Sequence, residues 1–453
     1  MKKLIALLLA VVMVMGLAAC GSKTTTETKA PTEAKVDTPA TEAKTDAPAA
    51  AGSVYYLNFK PEFDQALQGL AASYTEKTGV PVKVVTAASG DYSNTLNAQM
   101  GKDGAPTIYN IGNMSGLKDW DEYALDLTGT ALAGELATND FNLYNEAGEL
   151  KAMGYCYESF GIIVNTKLLA DAGHSLDEIK DFASLKAVAD DIHARAAELG
   201  FDAFSSAGLD GSSSWRFSGH LANMPLYYEF RDDGVKEQPA EIKGTYLDNF
   251  RNIWDLYITD SAADPTALST ATGDQSEAEF GEGKAVFYQN GTWEYAALTA
   301  DKFNLNPDEI AMIPIYCGVD GEEKAGLCSG TENCWAINSQ AKEEDIQASL
   351  DFLYWLVTDP DASAVLVEQL GAVPFKNCPA SANKFIVDGN NLLSEGKYAV
   401  TWAFNYTPNV DSWRATVVTA LAAYSADPTD ANWEAVKTAF VDGWAIEYKT
   451  VNG

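Results

Sequence analysis

The chain has 453 residues, with 31 basic residues against 64 acidic ones and a formal charge of −33. That excess excludes nucleic acid and anionic lipid surfaces as natural partners, because both repel it. With 47% hydrophobic residues the chain has the material for substantial cores, and its length suits a body of two ordinary domains.

Residues 1–19 begin with Lys2 and Lys3, continue in an apolar run over 4–15, and end in Gly16-Leu17-Ala18-Ala19 before Cys20. This is the layout of a secretory signal peptide, too short for a permanent membrane span. The segment Leu17-Ala18-Ala19-Cys20-Gly21 resembles the lipobox of bacterial lipoproteins, which implies that Cys20 becomes the lipidated amino terminus. Residues 20–52 are rich in Thr, Ala and Pro, with no aromatic residue and Val36 as the only branched aliphatic. Such a segment buries too little apolar surface to offset its ordering entropy, so it reads as a tether. The expectation is a monomeric body outside the cell, joined to the membrane only by its lipid.

From residue 53 strands and helices alternate. A strand is predicted over 54–59. A helix follows, with Phe63, Leu67, Leu70 and Tyr74 at near-helical spacing, and stops at Gly79. A strand over 80–85, a short helix through Leu96 and Met100, and a strand over 107–111 come next. The pattern restarts after Cys156 with a strand over 161–164, a helix over 185–199 closed by Gly200, a strand over 201–204, a helix over 246–258 and a strand over 285–289. Helices dominate the remainder, over 345–358, 362–369, 412–424 and 431–447. Alternation of this kind means βαβ units and parallel sheet, with ligands beyond the carboxyl ends of the strands.

The stretch Gln289-Asn290-Gly291-Thr292-Trp293 tests that reading. Asn-Gly is a strong hairpin signal, yet a hairpin needs a second alternating strand, and residues 292–298 are rich in helix formers. The strand is therefore expected to end at Gln289, Asn290-Gly291 to form the bend, and Thr292 to cap a helix that carries Trp293 in its first turn.

Phe280-Gly281-Glu282-Gly283-Lys284-Ala285, running on to Asn290-Gly291-Thr292-Trp293, resembles a segment of the extracellular solute-binding proteins of ABC importers, in the carbohydrate group that includes maltose-binding protein. Glu158-Ser159-Phe160-Gly161-Ile162-Ile163-Val164-Asn165 and Gly371-Ala372-Val373-Pro374 resemble two further segments of that family in the same order. The resemblance implies a two-lobed α/β periplasmic-binding-protein-like fold of type II, with the ligand cleft between lobes joined by hinge crossings. It places the N-terminal lobe at 53–152 plus 316–372 and the C-terminal lobe at 156–311 plus 376–453, with crossings near 151–156, 311–316 and 372–376. It also implies a carbohydrate ligand and a membrane permease as partners, with no catalytic step and no cofactor.

Carried over residue by residue, the resemblance makes Trp293 a stacking platform for a sugar ring and Glu158 an acceptor for its hydroxyls. Trp413 stands as a late helix-borne aromatic, and Asn113 as a polar cleft residue where the maltose-binding member has an acid. The residues themselves add candidates at other strand ends: Lys60 and Glu62 after the first strand, Asp91 and Tyr92 after the second. Trp215 and Arg216 in a Gly/Ser loop offer a stacking face beside a donor fork, and Trp402 offers a further platform.

Five cysteines follow Cys20, at 156, 317, 328, 334 and 378, an odd number without CxxC spacing. That argues against a complete disulfide framework and a structural zinc site, and leaves one pair, such as Cys328 with Cys334, open. His174, His193 and His220 show no metal-ligand spacing. Two other classes stay in play: the same architecture holding a polyamine or peptide between carboxylates and aromatic faces, and a secreted glycoside hydrolase with paired carboxylates.

Overall fold

The computed structural model describes residues 52–453 except Ser89, Asp140, Ser206, Ala207 and Asn333. The signal peptide, Cys20 and nearly all of the tether lie outside the described residues. Strands β1 (Val54–Asn58), β2 (Val82–Thr86), β3 (Ile108–Ile111), β4 (Leu143–Tyr144) and β5 (Leu150–Gly154) build one sheet together with β11 (Cys334–Ile337), in the order β2-β1-β3-β11-β5-β4. Strands β6 (Glu158–Asn165), β7 (Asp202–Phe204), β8 (Ala285–Gly291), β10 (Ala325–Gly330) and β12 (Tyr398–Thr401) build a second, ordered β12-β10-β6-β8-β7, with β9 (Ile310–Ile313) also paired to β6.

The first sheet opens as the alternation predicts, with β1 parallel to both β2 and β3. Helix Asp64–Thr78 joins β1 to β2, burying Leu67, Leu70, Ala71 and Tyr74 at helical spacing, and it stops at Gly79, whose φ of 77° suits a residue without Cβ. Successive residues of each strand serve opposite faces. Tyr56, Ile108 and Trp335 pack into one cluster, while their neighbours Leu57, Tyr109 and Ala336 pack into another.

The second sheet departs from the parallel expectation. The chain enters it along β6, and β8, β9 and β10 all run antiparallel to β6. Every residue of β6 and β8 is buried, as expected for strands covered on both faces.

The middle crossing also moves. Residues 310–313 pair with β6 and residues 325–330 continue that sheet, so the chain passes to the first sheet after Gly330, not near 311–316. The other two transfers lie between β5 and β6, and between Phe375, which packs in the first sheet's core, and Asn383, whose Nδ2 donates to Thr292 O at 2.8 Å. At the first of these Tyr157 bridges Ala372, so two linking segments run side by side. All five cysteines past the tether are free thiols, and no described helix is long and apolar enough to cross a membrane.

Candidate functional site

A cavity of about 430 Å³ is lined by residues from segments of both sheets. Its walls come from the segments after β1 and β8, the first residue of β6, the turn before Trp215, and the residue after β12.

Asn58, fully buried at the end of β1, shapes the first wall. Its Nδ2 donates to Lys60 O at 2.7 Å and its Oδ1 accepts from Lys60 N at 3.2 Å, which turns the chain and sends the lysine into the cavity. Lys60 is only 4% exposed. Its Nζ lies 2.6 Å from Glu158 Oε1, 2.8 Å from Glu62 Oε1 and 5.8 Å from the centre of the Trp293 ring. Burial alone would lower the pKa of this ammonium, but the Glu158 and Glu62 carboxylates override it and hold it well above the ordinary lysine value. The pair Lys60–Glu158 thus ties the end of β1 in one sheet to the start of β6 in the other.

The second wall corrects the expected bend. Asn290 and Gly291 are ladder residues, opposite Gly161 and Phe160 of β6, so β8 runs on past Gln289. Thr292 extends the pairing: its N–H donates to Ser159 O at 2.8 Å, and its hydroxyl accepts from Ser159 N at 3.3 Å instead of capping a helix. The helix starts only at Glu294. The strong pull of a neighbouring strand outweighs the local turn preference of Asn-Gly. The indole of Trp293 folds back across Gly291, where a Cβ would lie 2.2 Å from the ring. Glycine is therefore required here to let the indole approach the strand this closely.

Trp293 meets Trp215 at 5.9 Å and His220 at 5.3 Å between ring centres, and His220 stacks on Phe160 at 4.0 Å. Phe160 in turn lies 5.4 Å from Trp402, so an aromatic wall runs along the cavity. Burial, with the nearby charges of Arg414 and Arg216, pushes the His220 pKa well below its usual value and keeps the imidazole neutral.

Arg216 lines the cavity but sits in a tight turn opening the wide-turned helix Arg216–Leu221, not in an open Gly/Ser loop. Its guanidinium donates to Ser213 Oγ, Ser276 Oγ and Gln289 O, so it braces β8 from below where an exposed donor fork was expected. Trp402 is nearly buried and anchored by Nε1 donating to Cys328 O at 3.1 Å.

Three expected residues stand outside this cavity. Trp413 is fully buried, with Nε1 donating to Phe440 O at 2.9 Å and its ring against Phe440 and Trp444. It faces the neighbouring helix Asp430–Asn452, and Asp411 and Arg414 on the other side of its own helix reach the cavity instead. Asp91 is exposed at the start of helix Tyr92–Met100, accepts from Asn94 Nδ2, and lines no described cavity. Asn113 caps helix Met114–Trp120 by accepting from Gly116 N at 2.9 Å, and it lines an adjoining cavity of about 700 Å³. Tyr92 lines both cavities.

Glu294, Glu277, Glu332, Asp411 and Arg414 also line the first cavity and were not expected there. Glu294 is the one with a signal in the sequence, since it directly follows Trp293. Its Oε1 accepts from Asn290 Nδ2 at 2.9 Å, and burial, reinforced by Glu277, pushes its carboxyl pKa up to about 8. An unfolded glutamate releases its proton near 4.5, so between that pH and 8 the folded chain holds the extra proton and stability falls as pH rises. Glu294→Gln is expected to flatten this fall. Thermal melts on either side of the window measure it, and an unchanged slope in the variant would assign the effect to another group. While protonated, this carboxyl can donate to a ligand oxygen, which a carboxylate cannot.

Residues 69–387 match the family model described as bacterial extracellular solute-binding protein. Among solved structures, RafE in complex with raffinose aligns with a TM-score of 0.69 at 15% identity, covering 88% of this chain and 99% of that one. The GacH receptor of Streptomyces glaucescens aligns at 0.66 and 19%, covering 88% and 99%. A chitin oligosaccharide binding protein aligns at 0.69 and 15%, covering 88% and 98%. No curated protein matches the sequence. Identities this low carry the two-lobed fold and nothing finer, whereas the family model spans most of the chain. The chain belongs to the bacterial extracellular solute-binding proteins.

Proposed function

We propose that this chain is the capture component of an ABC importer, held outside a Gram-positive cell by a lipid on Cys20, and that it binds an oligosaccharide in the cavity between the two sheets and hands it to a membrane permease. One observation carries the reading: the indole faces of Trp293 and Trp215 stand beside Glu62, Glu158, Asn290 and Glu294 in a cavity walled by both sheets. Sugar rings offer apolar C–H faces to such indoles and hydroxyl rims to such carboxylates and amides. About 100 Å² of sugar face on one indole contributes on the order of 2.5 kcal/mol. The RafE structure named above holds raffinose, in keeping with this ligand class.

Each lobe then holds part of the ligand, and closure about the crossings is stabilised by contacts to both. The protein acts as a monomer and performs no chemistry on its ligand.

A second reading has one observation in its favour: carboxylates outnumber the cations Lys60, Arg216 and Arg414 in the cavity, which suits a polyamine or a basic peptide. Titration calorimetry against neutral oligosaccharides, polyamines and peptides separates the two. Sub-millimolar binding of a neutral oligosaccharide is expected, and polyamine binding with no sugar signal would replace the carbohydrate reading. Release of product from a glycan panel would make the protein a hydrolase.

A further inference from the structure

The cavity of about 430 Å³ and the adjoining one of about 700 Å³ share six lining residues: Phe59, Tyr92, Ser93, Glu332, Asp411 and Arg414. They meet at a waist. On one side Phe59 and Tyr92 lie edge to face, 5.3 Å between ring centres, and on the other stand Asp411 and Arg414 from helix Val410–Ala426, with Glu332 from the crossing after β10. We infer that the two cavities are chambers of a single ligand cleft, and that Arg414 with Glu332 at the waist selects oligosaccharides long enough to occupy both.

The inference rests on the carbohydrate reading above and adds ligand length and the residues that read it. Three observations support it. Either chamber alone has the volume of an ordinary small-ligand site, so a ligand confined to the first would leave the larger one empty.

The far chamber repeats the composition of the near one: Trp120 and Tyr123, 5.4 Å apart in edge-to-face contact, supply aromatic surface, while Asn97 and Asn113 supply amides.

The pair at the waist is uncommitted. Arg414 Nη2 stands 3.8 Å from Glu332 Oε1, beyond hydrogen-bond reach, and Arg414 Nε has no hydrogen-bond partner among the described residues. A hydroxyl lodged beside that pair can accept from the guanidinium and donate to the carboxylate, closing the gap with two charge-assisted bonds. Packing of the guanidinium against the Phe404 ring, 5.2 Å from its centre, holds it in place for this. Asp411, one turn before Arg414, adds an acceptor on the same face.

The test is calorimetric titration of the full chain with the maltose series and the chitin series, each from monosaccharide to hexasaccharide. Wild type is expected to gain affinity by about tenfold or more between the shortest ligand that binds and those that fill both chambers. Two variants probe the waist and the far chamber: Arg414→Gln, and Asn97→Trp, which places bulk in the far chamber from an exposed helix position. Each is expected to bring the long-to-short affinity ratio close to one. A wild-type affinity that is flat with length, or a ratio unaltered in both variants, overturns the two-chamber inference while leaving the carbohydrate reading intact. Failure of every sugar to bind overturns the carbohydrate reading, and this inference with it.

Discussion

Trp293→Ala is expected to weaken oligosaccharide binding at least about tenfold, because the indole face alone contributes on the order of 2.5 kcal/mol. The fold should survive, since Trp293 is only half-buried and the strand beneath it pairs through its backbone. A companion substitution isolates position from chemistry. Gly291→Ala keeps the indole but puts a Cβ where the ring now lies, 2.2 Å away, so the ring must swing off the strand. It is expected to lose nearly as much affinity as Trp293→Ala. Titration of both variants with the tightest-binding sugar of the panel decides the matter. Unchanged affinity in Trp293→Ala removes the indole from the site, and loss in Trp293→Ala with none in Gly291→Ala shows that the exact seat of the ring is unimportant.

The second large effect is on stability. Lys60→Met leaves Glu158, whose side chain is 5% exposed, without the ammonium at 2.6 Å, and removing one partner of a buried pair costs about 3–5 kcal/mol. The double change Lys60→Met with Glu158→Gln is expected to recover part of that loss, because the buried carboxylate charge is removed together with the ammonium. Denaturant unfolding of the single and double variants measures the cycle. If Lys60→Met unfolds at the wild-type midpoint, solvent and proton uptake suffice to accommodate Glu158 and Glu62 without the ammonium, and the tie between the sheets contributes nothing.

The architecture was legible wherever a segment carries its own period. Helix Asp64–Thr78 was readable from Leu67, Leu70 and Tyr74, and β6 from an unbroken apolar run. Strands β9, β10, β11 and β12 were not, because segments such as Ala325–Gly330 and Tyr398–Thr401 are short, hold small residues, and owe their extended form to partners far away in sequence. The same cause hid the true middle crossing.

At the site, the strand-end reading brought out Lys60 and Glu62, and the family resemblance Glu158 and Trp293, all of which line one cavity. Trp413, carried over from the resemblance, and Asp91, taken from a strand end, line no described cavity. Which side of a helix faces a cavity depends on what packs behind it, so the choice between Trp413 and its neighbour Arg414 belongs to helix Asp430–Asn452. Asn290-Gly291 shows the limit from the opposite direction, as a strong local turn signal that a neighbouring strand overrides.

The place of β11 bears on how the polypeptide reaches its native state. β11 lies between β3 and β5 and pairs with both, yet it is made only after every strand of the second sheet except β12. The first sheet therefore cannot close while the amino-terminal part of the chain emerges alone. Its central pairing waits for a segment that five of the second sheet's six strands precede, and such distant pairings slow folding because loop-closure entropy must be met before contacts form. The two lobes are thus coupled at birth: a chain truncated before Cys334 leaves β3 and β5 with bare edges, and neither lobe is an independent folding unit that the other merely joins.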